Sequence, residues 1–362
     1  MLGYSELGGA EKQSIILAIE LIKLGFPVKF IVFDPPGKVN EILLTSSAEV
    51  INLPLKKSLS IRYLFIDLLR LLKSAKSTHS DIILAYTFWP NIYGSLIWRL
   101  TGARHFYWGQ RDEGRGLKNM PVIKFALRLA NEFISNSNQG KEILINQFNI
   151  PRKKVRIIYN GVTLNNPQFD RNTWRMKLKI SNDSIAFLKV ANYHQFKNHL
   201  ILVNVWEKLI LDFSQERIPY LIFVGKNAGT KEIVESEINK KNLQSYIKLL
   251  NFEDDISGLI NACDIGIFCS NYEGIPNAIL ESMILKRAII TNDFNGSFEA
   301  LGTQYPFIVR NNSIDEYIDH INKLINDKYL REYWGNENYK RANSLFTIQN
   351  MVNNYLELFN LK

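Results

Sequence analysis

The sequence predicts an α/β protein made of two doubly wound, Rossmann-like domains facing a cleft. Its 362 residues, 46% hydrophobic and 22% charged, exceed what one ordinary core holds. Short β-branched runs alternate with longer segments of helical period, the rhythm of parallel strands covered by helices. That rhythm runs twice along the chain, with one interruption.

In the first half, strands are expected at 28–33, 82–85, 104–107, 132–135 and 155–158. The second half carries them at 185–191, 220–224, 247–249, 265–268, 288–291 and 307–309. Between them lie helical stretches such as 11–24, 61–77, 199–211, 231–241 and 276–285. The pattern lapses at the polar Asn165-Asn166-Pro167, followed by a basic helical segment from Trp174 to Lys179. The expected boundaries are therefore a first domain over 1–165, a linker over 166–184 and a second domain over 185–345. A terminal helix over 346–362 is expected to return toward the first domain. Strands that end toward a shared cleft place a ligand at their carboxyl ends.

The net charge of +9 suits an anionic partner, whether nucleic acid, an acidic membrane surface or a phosphorylated substrate. The basic residues are scattered in short pairs such as Lys56-Lys57 and Lys240-Lys241. They follow no recognition motif, so nucleic acid is not an expected partner. Cys263 and Cys269 have neither a disulfide framework nor zinc-site spacing, and read as buried, reduced thiols. Charges interrupt every long apolar stretch, so neither a membrane-spanning helix nor a signal peptide is expected.

Four segments carry chemistry. The first, Glu273-Gly274-Ile275-Pro276-Asn277 through Glu281, follows an apolar run and enters a helix, with Pro276 suited to the first helical position. A strand, a glycine loop and a helix start aim free backbone amides at whatever lies above the sheet. Glu273 and Glu281 are acceptors for sugar and ribose hydroxyls. Taken alone, the residues favour the plainer reading, in which Glu273 helps cap the helix and Glu281 lies on its solvent face. The second segment, from Asn192 to His199, follows the strand at 185–191, and its Lys197 either neutralises a diphosphate or is an exposed loop lysine. The third is Gly8-Gly9-Ala10-Glu11, two glycines opening a helix. The fourth runs from Trp108 to Gly116 and places Arg111 and Asp112 beyond a strand, as site charges or as a surface pair.

In this order the segments resemble one family, the retaining GT-B glycosyltransferases of family 4, or glycosyl transferases group 1. The resemblance spans nearly the whole chain. Further elements are Ser135-Asn136-Ser137, Ile158-Tyr159-Asn160-Gly161-Val162, the strand and glycine from Tyr220 to Gly225, and Ala262-Cys263-Asp264-Ile265. Two glutamates eight apart around Gly-x-Pro are its signature. The resemblance implies a nucleotide-sugar donor, UDP- or GDP-linked, on the second domain and a glycan or lipid-linked acceptor bound mainly by the first. It implies no other cofactor and no metal, and no Asp-x-Asp motif is present. By analogy Glu273 meets the donor sugar, Glu281 the ribose and Lys197 the diphosphate. Gly225 and the amides of Gly274, Ile275, Pro276's neighbours and Asn277 lie along the donor, and Asn251-Phe252 sits near the base. Gly8 and Gly9 approach it from the first domain, and Arg111 and Asp112 are the candidate charges there.

Three departures stand out. Members carry an arginine where this sequence has Asn192, and Arg111 or Lys189 are the candidate replacements. Members often have a histidine where Gln110-Arg111-Asp112 stands. They also begin with a hydrophobic strand before the Gly-Gly loop, whereas Met1 lies only a few residues ahead of it; the expectation is a natural start upstream of Met1. The implied activity is sugar transfer with retention in bacterial surface polysaccharide synthesis, in the cytoplasm or peripherally on the inner face of the cell membrane. The alternative is a sugar-nucleotide-binding or assembly subunit with weakened catalysis.

Overall fold

The computed structural model describes residues 1–111, 114, 117, 120–162, 166–212, 218–271 and 273–361. The chain divides into two compact units, one comprising Met1–Gly161 with Ile348–Lys362 and the other Val162–Thr347.

The first unit carries α1 (Gly9–Lys23), β1 (Lys29–Val32), α2 (Lys38–Leu43), β2 (Glu49–Asn52), α3 (Ile61–Ser77), β3 (Ile82–Tyr86) and α4 (Phe88–Ile97). β4 (His105–Gln110), α5 (Pro121–Leu129), β5 (Glu132–Ser135), α6 (Asn138–Phe148) and β6 (Val155–Ile157) follow. β3, β4, β5 and β6 form one parallel sheet, and β1 pairs with β2 in parallel. The two pieces are joined by Met1 and Leu2. Leu2 donates to the Ile31 carbonyl at 2.9 Å and accepts from Phe33 at 3.0 Å, while Met1 donates to Leu84 at 2.7 Å and accepts from Tyr86 at 3.0 Å. Met1 and Leu2 thus bridge β1 and β3 at the carboxyl ends of those strands. Beside the bridge is a cavity of about 320 Å³ whose lining includes Leu17, Val28, Ile31, Ile82, Leu84 and Phe359. The β2 strand had no counterpart in the sequence reading. Glu49 is exposed and Val50, Ile51 and Asn52 are only half-buried at a sheet edge, so the strand lacks an alternation to detect. β4 runs three residues beyond the expected end at Tyr107, taking Trp108 to Gln110 into the buried strand and leaving Arg111 as the first residue past it.

The second unit opens with α7 (Arg171–Leu178), followed by β7 (Ala186–Val190), α8 (His199–Asp212), β8 (Tyr220–Val224), α9 (Lys231–Lys240) and β9 (Ile247–Leu250). Next come α10 (Ile256–Ala262), β10 (Ile265–Ile267), α11 (Asn277–Ile284), β11 (Ala288–Asn292), α12 (Asn295–Leu301), β12 (Ile308–Val309), α13 (Ile314–Asn326) and α14 (Lys328–Leu345). The last helix, α15 (Ile348–Phe359), belongs to the first unit. The parallel sheet has the order β12-β11-β10-β7-β8-β9. Strand order reverses between β7 and β10, which are neighbours in space but not in sequence. Such a switch point leaves a crevice at the carboxyl ends of the two strands.

Within the stretch 166–184 expected as a linker lies α7, which packs into this second unit. Trp174 and Leu178 lie in the unit's core. Arg171 pairs with Asp264 at 2.7 Å, and Asp264 in turn accepts from the Ala186 amide at 2.9 Å. Arg175 is buried and donates to the Ala262 carbonyl at 2.7 Å. The Ala262-Cys263-Asp264 motif is therefore an anchor for the start of the central strand. Cys263 and Cys269 are both free and buried.

Candidate functional site

The loops that follow β7 and β10 meet at the switch point. The Asn271 amide donates to the Phe196 carbonyl at 2.9 Å, tying them together through backbone. On this frame Lys197 forms an ion pair with Glu273. Two residues 76 positions apart, each with an equally bland reading when taken alone, are thus partners at the one place where the sheet topology opens a crevice.

Glu281 lies on α11 and is buried, with 7% of its surface exposed. The solvent-face reading is overturned. A carboxylate seldom goes inside without a function or a partner. Pro276 is the cap of α11 rather than its first residue, with extended backbone (φ −69°, ψ 130°), so the helix starts at Asn277. With a proline at the cap, the first turn's amides begin at Asn277 and point back toward the loop holding Gly274 and Ile275.

Two residues that the sequence reading passed over hold this loop in place. Asn292, buried at the end of β11, accepts from the Ser270 amide at 2.9 Å and donates to the Ser270 carbonyl at 2.7 Å. Gly296, in the first turn of α12, lies so close to the loop that a Cβ there would overlap the Gly274 carbonyl oxygen and stand 3.2 Å from that of Glu273. Their signal in the sequence is a polar, glycine-containing turn directly after the strand at 288–291; the segment from Asn192 after β7 is likewise polar and follows a strand, but holds no glycine.

Gly225 follows β8, and a Cβ there would stand 2.8 Å from the Asn192 Cα and overlap the Ala191 carbonyl. It lets the loops after β7 and β8 touch. Asn192 is exposed and accepts from the Lys226 amide at 3.0 Å, so it stitches those two loops. Asn251 and Phe252 follow β9, where the Lys231 ammonium reaches Asn251 and that of Lys226 lies 5.1 Å from the centre of the Phe252 ring. The loops at the carboxyl ends of β7, β8, β9 and β10 therefore carry Asn192, Lys197, Gly225, Asn251, Phe252 and residues 273–276, with Glu281 further along α11.

Lys189 does not supply the missing arginine. It is 1% exposed, and its ammonium donates to the Cys269 carbonyl at 2.8 Å, supporting the loop from below. Burial lowers its pKa to about 8. His199, at the start of α8, stacks on Tyr193 with ring centres 4.9 Å apart. Burial, aided by the Lys189 charge, lowers its pKa to about 2 and keeps it neutral.

In the first unit, Gly8 caps α1 and Gly9 is its first residue. The Glu11 carboxylate already serves this helix start, accepting from the amides of Gly8 and Glu11; burial nonetheless raises its pKa to about 7. The Arg111 guanidinium lies 4.2 Å from the centre of the Tyr86 ring and donates to the Tyr355 hydroxyl and to Asn160. It is engaged within its own unit, and this position gives no support to a stand-in role for the arginine absent at Asn192. Asp112 lies outside the described residues. Ser137 of the Ser-Asn-Ser motif caps α6, accepting from the Gly140 amide at 3.2 Å.

Comparison with known proteins agrees with this architecture. The family model for glycosyl transferases group 1 matches residues 170–341, and that for Glycosyltransferase Family 4 matches residues 7–166. The chain is 26% identical over 278 residues to the UDP-Gal:alpha-D-GlcNAc-diphosphoundecaprenol alpha-1,3-galactosyltransferase of Escherichia coli, covering 73% of this chain and 71% of that protein. To the N-acetylgalactosamine-N,N'-diacetylbacillosaminyl-diphospho-undecaprenol 4-alpha-N-acetylgalactosaminyltransferase of Campylobacter jejuni it is 25% identical, over 62% of this chain and 60% of that one. Among solved structures, Anabaena Alr3699/HepE in complex with UDP and glucose superposes with a TM-score of 0.85 at 19% identity, over 99% of this chain and 98% of that one. With one family model on each unit, a switch-point site bearing the paired glutamates and the same two-domain fold in its structural neighbours, the chain belongs to the GT-B glycosyltransferases of family 4, glycosyl transferases group 1.

Proposed function

We propose that the chain moves a sugar from a nucleotide-sugar donor, UDP- or GDP-linked, to a lipid-linked or glycan acceptor with retention, in bacterial surface polysaccharide synthesis. The observation that carries this reading is the Lys197–Glu273 pair at the switch point, with Glu281 buried on the adjoining helix. In the proposed complex the Lys197 ammonium turns to the donor diphosphate and Glu273 accepts from the sugar hydroxyls. Glu281 accepts from the ribose diol, the amides from Gly274 to Asn277 line the sugar and phosphates, and Asn251 and Phe252 border the base. The Lys197–Glu273 pair holds both side chains oriented in the crevice, so little reorganisation accompanies donor binding. As the glycosidic bond breaks, the leaving diphosphate takes the acceptor proton from the same face while Lys197 stabilises the growing charge. Arg111 and Asp112 are the proposed acceptor-side charges, and no cofactor beyond the donor is invoked. The place of action is the cytoplasmic side of the cell membrane, where a lipid-linked acceptor is within reach.

Thermal-shift measurements with UDP, GDP and ADP and their sugars test the donor. A ligand at a hundred times its Kd stabilises the folded chain by about 2.7 kcal/mol. Absence of any shift refutes the donor reading, and an inverted anomer in the product, read by NMR, refutes retention. One observation favours a binding subunit with weakened catalysis: Asn192 is uncharged and spends its side-chain oxygen on the loop. Lys226, whose amide it holds, is the proposed replacement cation. Nucleotide binding without product from lipid-linked acceptors would establish that second reading, whereas product that falls at least tenfold in Lys226→Ala would exclude it.

A further inference from the structure

We propose, resting on the donor reading above, that the buried Lys189 is a positioning residue for the donor: a counter-charge beneath the diphosphate whose protonation is linked to nucleotide binding. β7 is central in a parallel sheet, and such strands are apolar runs. Here Ala186-Phe187-Leu188 is followed by Lys189. Side chains alternate across the sheet. Leu188 joins the core that holds Trp174, while Phe187 meets Trp206 of α8 with ring centres 5.3 Å apart. Lys189 faces α8 in its turn, nearer the carboxyl end of the strand, where that helix begins at His199.

Among the described residues its ammonium meets the Cys269 carbonyl at 2.8 Å and no carboxylate. An ammonium carries three donors, and a buried charge without a counter-ion costs stability that an apolar side chain would not. Cys269 opens the loop that carries Glu273, and Glu273, the acid of that loop, pairs with Lys197. The charges of Lys189 and Lys197 both bear on His199, so two cations lie about one neutral imidazole below the crevice. An uncompensated cation sealed there fits an anion arriving from above, and the diphosphate is the anion that the donor reading places in this crevice. Lys189 does not touch it. It acts through its field, which buried surroundings screen little, and so offsets the neutral Asn192 in a different way from a contact arginine.

Of the titratable groups packed about Lys189 and Cys269, His199 is neutral because burial lowers its pKa to about 2. Burial raises the Cys269 thiol and the Tyr317 hydroxyl, which keeps both neutral as well. Lys197 is the other cation, with Glu273 as its partner. Burial lowers Lys189 itself to about 8. An anion above the loop favours the ammonium and raises its proton affinity again, by about tenfold for an opposite charge at close range. The complex then holds this proton more tightly than the free chain does. Binding therefore takes up a proton and weakens as pH rises through about 8. With that tenfold difference, nucleotide affinity falls about fivefold from pH 7 to pH 9, and about half a proton is taken up per nucleotide at pH 8.5.

Isothermal titration calorimetry of the full chain with UDP and with GDP, in buffers of different ionisation enthalpy, is the test. The wild type should show both the fall in affinity and the proton uptake. Lys189→Met removes the charge, and Lys189→Gln removes it while keeping a donor for the Cys269 carbonyl. Both variants should bind about tenfold more weakly than wild type at pH 7, come within about twofold of it at pH 9, and lose the proton uptake. Ionisation of the base is common to all three proteins and cancels in the comparison. Lys189→Met gives up a buried charge and should melt no lower than wild type. Wild-type binding at pH 7 without proton uptake at pH 8.5 overturns this proposal alone, whereas no binding of either nucleotide at pH 7 overturns the donor reading and this proposal with it. Variants that melt lower yet keep the wild-type pH dependence would make Lys189 a structural anchor of the loop, and likewise overturn it.

Discussion

Gly296→Ala is the perturbation with the most to reveal about how the second unit presents its paired glutamates. The new methyl carbon would stand 2.5 Å from the Gly274 carbonyl carbon and 3.2 Å from the Glu273 carbonyl oxygen. Unstrained carbon contacts lie at about 3.5–4.0 Å. The Gly274 carbonyl oxygen overlaps the new carbon outright, so the loop must retreat by more than about 1 Å, and the obstructing atoms are backbone, which cannot rotate out of the way as a side chain can. Overpacking of this kind costs typically 1–3 kcal/mol, with the upper end expected here. For a domain of this size that is a fall of about 6–12 °C in melting temperature. The functional loss should be larger than the stability loss. A 1 Å displacement of a positioned group costs on the order of a hundredfold in rate, and Glu273 and Gly274 are what the methyl displaces. Gly102→Ala is the control: that glycine has φ +91° with nothing within 4 Å of an added Cβ, so it adds backbone strain of about 1–3 kcal/mol in the first unit, away from the loop that holds Glu273. Differential scanning fluorimetry and initial rates of sugar transfer read both effects. A Gly296→Ala protein that melts within about 1 °C of wild type and keeps its activity within about twofold would refute the argument that α12 sets the loop position.

Glu281→Gln removes one charge-assisted acceptor, a loss of about 1.5–3 kcal/mol; calorimetry should show donor affinity falling about 10- to 100-fold with melting temperature nearly unchanged. His199 has a folded-state pKa of about 2, below its unfolded value, because burial disfavours the cation. Its contribution to stability is thus complete above pH 6.5 and lost progressively as pH falls. Between pH 6.5 and pH 5 that loss is about 2 kcal/mol, and urea unfolding of His199→Phe should lack this part of the acid dependence. Asp255 accepts from Trp174 Nε1 at 2.7 Å, from the Gly258 amide at 3.0 Å and from the Phe169 amide at 3.1 Å. Burial pushes its pKa up, but these hydrogen bonds outweigh it and hold the carboxyl below its ordinary value. Asp255→Ala should cost about 2–3 kcal/mol in urea unfolding at neutral pH, with the wild-type advantage shrinking once the pH falls below the usual carboxylate range.

Alternating β-branched runs and helical periods made the strands of both units legible from the sequence, except for the edge strand β2. Residues 273 to 281 announced a strand, loop and helix start, because glycine, proline and a polar turn act locally on the backbone. Local signals could not tell a functional glutamate from an ordinary one. Glu281 reads as a solvent-facing helical residue until packing buries it, and Lys197 reads as a loop lysine until sheet order brings β10 beside β7. Asn292 and Gly296 stayed unread for the same reason, since their partners Ser270 and Gly274 lie 22 residues away along the chain. Periodicity is a property of neighbours along the chain and determines the elements. The site is a property of neighbours across a parallel sheet, whose strand order no local pattern encodes.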